Sequence, residues 1–125
     1  MKKYKIFPLI AFLIILTFGC SAETIQSVKS LNFPLRDDMN LESTNTSTVN
    51  DVEIESSTYT VQNGDLSSFL FEYEKNLNEK GWATVNDLKP SGLVVEKSNK
   101  TVTILAYEQD NKLMVDILPT PKAKE

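Results

Sequence analysis

The chain has no histidine and a single cysteine in 125 residues. Within this chain those counts exclude disulfide frameworks, histidine-ligated metals, serine-histidine triads and cysteine-histidine pairs. Glycine is scarce as well, four in all, so the backbone has few places to approach a cofactor closely. No Gly-x-Ser-x-Gly elbow, Ser-x-x-Lys pair or glycine-rich phosphate loop occurs, and Ser27-Val28-Lys29 and Ser98-Asn99-Lys100 have the wrong spacing. Acid-base chemistry would then fall to paired carboxylates. Glu53 and Glu55 share the solvent face of a strand, while Glu72 and Glu74 sit about 200° apart on a helix, so neither pair converges. Asp37 and Asp38 with Glu42 or Asp51 offer oxygen ligands without the spacing of a calcium loop. The expectation is a protein that is not an enzyme and holds no metal or cofactor.

Arginine is nearly absent too. The one copy, Arg36, stands beside Asp37 and Asp38. The formal charge of −4 averages two unlike regions: residues 1–19 hold Lys2, Lys3 and Lys5 and no acid, leaving ten basic against 17 acidic residues, net −7, in the remainder. A phosphate backbone is bound by clustered Lys and Arg, so nucleic acid is not an expected partner.

What is present begins at the N-terminus. The three lysines precede an apolar run from Ile6 to Phe18, broken by Pro8 and Thr17. Charged and apolar segments in that order form an export signal. As a helix the run would reach about 20 Å, short of the roughly 30 Å that a stable span must cross. It ends in Thr17-Phe18-Gly19-Cys20, followed by Ser21-Ala22. This resembles the lipobox of bacterial lipoproteins, with Thr17 where that family favours leucine. The resemblance implies cleavage before Cys20, a diacylglycerol on its thiol and an acylated new amino terminus. Two or three acyl chains, at about 0.8 kcal/mol per buried CH₂, anchor a protein firmly. Ser21 after the cysteine implies onward transport to the outer membrane if the host has one. Cleavage after Ala22 by an ordinary signal peptidase, giving a soluble secreted protein, is the alternative.

The expected organisation is a signal peptide over 1–19, a lipidated N-terminus and flexible tether over 20–36, a domain over 37–119 and a disordered tail over 120–125. In the tether, polar residues mix with Ile25, Val28, Leu31 and Phe33 in neither clean period. Its last part, Leu31-Phe33-Leu35 around Pro34, can lie extended on the domain. Met39 and Leu41 start a short edge strand, Asn45 to Asp51 reads as a loop, and Val52 to Ile54 alternates as a strand. Tyr59 and Val61 are out of phase with Val52 and Ile54, which predicts a bulge near Ser56 to Thr58.

Asp65 then caps a helix whose stripe is Leu66, Phe69, Leu70, Tyr73 and Leu77. Lys80-Gly81-Trp82 ends it as a Schellman motif. Four strand-like runs follow, Trp82 to Val85, Leu93 to Glu96, Val102 to Tyr107 and Leu113 to Leu118. The fold class is therefore α+β: strand-strand-helix, then a meander of about four short strands, with a single helix packed on one face of a small antiparallel sheet. The layout, with its Lys80-Gly81-Trp82 helix exit, resembles a small α+β module of bacterial lipoproteins to which no agreed activity attaches.

Phe71 lies off the helix stripe among Ser67, Glu74 and Asn78, with the stem of Lys75 as its cover, and Leu105 and Tyr107 sit on the outer face of their strand beside Val94. Phe71, Leu105 and Tyr107 are the proposed partner surface. The functional expectation is a lipid-anchored cell-envelope protein, exported and held to the cell membrane or outer membrane through Cys20, serving as a non-catalytic binding or assembly module for another envelope protein. A small-molecule or lipid carrier is the alternative; it needs a cavity between helix and sheet, where Phe69, Tyr73 and Trp82 compete for the space.

Overall fold

The computed structural model describes residues 25–120. The signal peptide, Cys20 and most of the expected tail lie outside the described residues. Six strands and one helix follow in order: β1 (Met39–Val49), β2 (Val52–Val61), α1 (Phe69–Glu79), β3 (Ala83–Leu88), β4 (Gly92–Lys97), β5 (Lys100–Gln109) and β6 (Lys112–Thr120). All pair antiparallel in one sheet of order β1-β2-β6-β5-β4-β3. The coarse class, one helix with an antiparallel sheet, is as the sequence implies. Sheet dominates, and its arrangement differs from a hairpin followed by four short strands.

Three hairpins turn on two residues that both have positive φ: Asn50-Asp51 (52° and 66°), Ser98-Asn99 (51° and 66°) and Asp110-Asn111 (55° and 64°). Two left-handed residues in succession make a type I′ turn, whose twist matches the strands it joins. Asn and Asp tolerate that region because their short side chains bond locally.

One face of the sheet carries the core. Tyr59 and Val61 of β2, Leu113, Val115 and Ile117 of β6, Val102, Ile104 and Ala106 of β5, and Leu93 and Val95 of β4 are all buried. Phe69, Leu70, Tyr73 and Leu77 of α1 cover them. Fully burying such side chains contributes about 1.5–3 kcal/mol each. The helix exit closes as expected: the Trp82 N–H donates to the Leu77 carbonyl (2.9 Å), the Gly81 N–H to Asn78 (3.1 Å), and Gly81 has φ 94°.

The helix entry does not match. α1 begins at Phe69 with Ser68 at the N-cap and no side-chain cap. Asp65 instead organises the turn before it, accepting the Ser67 N–H (3.3 Å) and the hydroxyls of Ser67 (2.8 Å) and Ser68 (3.3 Å). Serine hydroxyls compete for the carboxylate that would otherwise cap the amides.

The expected tether is the larger correction. Gln26 bridges Ile54 in parallel, its N–H donating to Glu53 and its carbonyl accepting from Glu55, both at 2.8 Å. Ser27 and Ser30 then close a turn reciprocally, each backbone N–H donating to the other's hydroxyl. The chain reverses at Asn32, and Val28 and Phe33 (5% exposed) enter the core. The Phe33 ring meets Trp82 edge-on at 4.7 Å, and the Tyr73 hydroxyl donates to the Pro34 carbonyl. Residues 25–36 are a strap that covers the core beside the helix.

β1 corrects the expected loop, running unbroken in pairing from Ser43 to Val49. The bulge expected at Ser56 to Thr58 is on the partner strand instead, at Glu42 between Leu41 and Ser43. β2 itself runs straight, so Ile54 faces the other side from Tyr59 and is buried apart from the main core. Thr120, expected in the tail, pairs with Thr101 at the end of β6.

Candidate binding surface

The core side of the sheet is closed by α1 and the strap, which leaves the opposite face to the even positions of β2, β4 and β6 and the odd positions of β5. Two rows cross it in register. One joins Thr58, Asp116, Leu105, Gly92 and Leu88, and the next joins Thr60, Met114 and Tyr107. Leu105 is 39% exposed and Leu88 53%. Gly92 lies beneath both: a methyl there would stand 3.2 Å from Leu88 Cβ and 3.6 Å from Leu105 Cδ2. Both leucines flank the space that a side chain at Gly92 would occupy.

Beside them Asp116 Oδ1 accepts two hydroxyls, from Thr58 (2.8 Å) and Tyr107 (3.1 Å). Burial first, then the Asp116 carboxylate, raises the Tyr107 hydroxyl above its ordinary value, so it remains a donor at neutral pH. Leu105 and Tyr107 thus share one half-wet apolar and polar surface. Sequence reasoning missed its polar centre at Asp116, which alternation marks as the only charged residue facing outward between Met114 and Leu118.

Phe71 is not part of that surface. It projects from α1 on the other side of the sheet, 54% exposed, with the Lys89 ammonium 5.0 Å from its ring. Its cover is therefore Lys89 from the β3–β4 turn, where Lys75 was expected. The same ammonium pairs with Glu74 Oε1 and Asp87 Oδ2, both at 2.7 Å, and Glu74 Oε2 accepts the Thr84 hydroxyl at 2.6 Å. Lys89 holds both carboxyls below the usual range, and Asp87 and Glu74 raise Lys89 in turn. This cluster ties helix to sheet.

Asp38 and Glu72 are tied down in a similar way. Asp38 pairs with Arg36 through two bonds of 3.1 Å, and Arg36 also reaches Glu72 at 3.1 Å while lying over the Phe69 ring at 5.2 Å. Glu72 and Glu74 thus face opposite flanks of α1. Asp51 sits in the turn at the far end of β1 from Asp38. Among the described residues no three carboxylates or thiols gather as metal ligands, and no helix is long and apolar enough to cross a membrane.

An open groove of about 400 Å³ lies between the strap and the first hairpin, lined by Val28, Phe33, Leu35, Leu41, Glu55 and Tyr59 among others. The space between helix and sheet is filled by the rings of Phe33, Phe69, Tyr73 and Trp82. Compared with protein-family models, curated proteins and solved structures, the chain matches none.

Proposed function

We propose that this chain is a lipid-anchored protein of the bacterial cell envelope, held by acyl groups on Cys20 and acting as a non-catalytic binding or assembly module. The observation that carries the binding role is the Leu88-Gly92-Leu105 row, where two exposed leucines flank a glycine beside the Tyr107–Asp116 hydrogen bond. An apolar strip flanked by a satisfied polar pair is the composition of an interface centre. The partner in this reading is another envelope protein. Its surface is Leu105 and Tyr107 with Leu88; Phe71 belongs to a separate site over Lys89.

Two measurements test this. Mass spectrometry of the mature N-terminus should find Cys20 acylated, and an unmodified Cys20 or a chain starting at Glu23 overturns the anchor. Mild cross-linking in membranes followed by pull-down should recover a partner that Leu105→Asp loses, with circular dichroism checking that the fold survives the new carboxylate opposite Asp116. Recovery of the same partner by Leu105→Asp would remove this surface from the proposal. A second reading, a carrier of small apolar molecules, is favoured by the strap groove. Leu41→Lys would then abolish uptake of an apolar fluorophore, whereas Leu105→Asp would leave it intact.

A further inference from the structure

The β1 strand is the barest edge of the molecule. From Asn40 to Val49 every residue is exposed, and among the described residues no strand lies outside it. Natural edge strands are guarded by lysine, proline, a bulge or shortness, because unpaired backbone groups invite another strand. β1 is 11 residues long and contains no lysine, arginine or proline. Its one bulge, at Glu42, leaves Ser43 to Val49 regular. The opposite edge is guarded: β3 has six residues, a bulge at Val85 and a charge at Asp87.

We propose that β1 pairs antiparallel with β1 of a second copy of this chain, about a two-fold axis through Thr46, joining two sheets into one of twelve strands. Thr46 is the midpoint of the regular run, so this register uses all of it. Across the axis Thr46 meets Thr46, Asn45 meets Ser47, Thr44 meets Thr48 and Ser43 meets Val49. Glu42, the one charge on the strand, falls opposite Asn50, so no like charges oppose each other.

The strand is its own complement in charge, size and hydrogen-bonding character. Both its faces are polar, so a partner strand need bring no apolar face, and a second β1 matches that on each side. Symmetry closes the assembly at two copies. Pairing of β1 with β3 would instead propagate without end, and the Val85 bulge and Asp87 oppose it. The interface is a backbone ladder, which explains how a segment of Ser, Thr and Asn forms a strand while burying almost nothing of its own. The proposal is independent of the open-face row, which lies beyond β2 from this edge.

The test uses the full chain in mild detergent. Thr46→Cys oxidised with copper phenanthroline should give a disulfide dimer at several-fold higher yield than Val85→Cys, because antiparallel partners at 4.5–5.5 Å between Cα atoms fall within disulfide reach. The parent chain, carrying Cys20 alone, sets the background. Thr46→Lys puts two ammonium groups on the axis and should raise the dimer dissociation constant at least tenfold in sedimentation. Its circular dichroism should match the parent, since Thr46 is exposed, while its melting temperature should lose the dependence on protein concentration that the dimer gives the parent. Sedimentation of the parent as a monomer at every concentration overturns the proposal, as does equal cross-linking at Thr46 and Val85. Cross-linking of Thr46→Cys in membranes to a different protein also overturns it while leaving the binding-module reading standing.

Discussion

At Gly81 the chain must turn left-handed with φ 94° to carry Trp82 back over Leu77. A side chain there meets the Lys97 stem at 3.2 Å as well as the backbone penalty. Gly81→Val should therefore cost about 1–2 kcal/mol, lowering the melting temperature by roughly 4–8 °C per kcal/mol in thermal denaturation. Tyr73 makes a different prediction because its hydroxyl is buried against the Pro34 carbonyl. Burial raises that hydroxyl far above its ordinary value of 10.0. The folded state thus holds Tyr73 neutral while the unfolded chain ionises above pH 10, so this residue's stability is complete below pH 10 and is lost as pH rises beyond it. Tyr73→Phe should cost about 1 kcal/mol at pH 7, and the difference from the parent should shrink above pH 10 in denaturant titrations. If the two curves stay parallel to high pH, the hydroxyl is not protected as described.

Among the elements, what could be read in advance is what local chemistry specifies. The Gly81 exit, the α1 stripe and the Asp110-Asn111 hairpin each depend on a few adjacent residues. β1 was hidden because period-two reading needs one apolar face, and a strand of Ser, Thr and Asn paired through its backbone has none. The strap was hidden because its two core residues, Val28 and Phe33, straddle a turn and so show neither helical nor strand spacing. Their contribution is tertiary: Phe33 packs on Trp82 and Tyr73, which come from the far end and the middle of the helix region. Phe33→Ala should cost about 3–5 kcal/mol, as for any buried phenylalanine. A loose tether would give a loss near zero in urea denaturation. The open-face row was half legible. Leu105 and Tyr107 follow from alternation, whereas Leu88 and Gly92 join them only through the β3–β4 register, and Phe71 is set apart by the sheet itself.

For the molecule as a whole, the strap would shorten the distance between the domain and the lipid anchor proposed at Cys20. Five peptide steps separate Cys20 from Ile25, where the described residues begin, and five residues span at most about 18 Å. An acylated Cys20 would hold the domain against the bilayer surface, closer than the few nanometres a tether over 20–36 would allow. The two-fold pairing at Thr46 is compatible with that placement. Rotation about an axis normal to the sheet leaves both helices, and both straps, on the same side of the joined sheet.

The strand order also fixes when the structure can be completed. β6 lies between β2 and β5, so the last strand made is the one that joins the first hairpin to the rest. Until residues 112–120 arrive, β1 and β2 can contribute only a hairpin, and α1 with β3 to β5 only an open half-sheet whose Ile104 and Val102 lack their neighbours. A chain that emerges N-terminus first, from a ribosome or from the export pore that the proposed location would require, therefore remains in two unjoined pieces until residues 112–120 have emerged. Long-range pairing of this kind is intrinsically slow. The same arrangement that closes the core last would keep the polypeptide pliable through the threading that export, as proposed, requires.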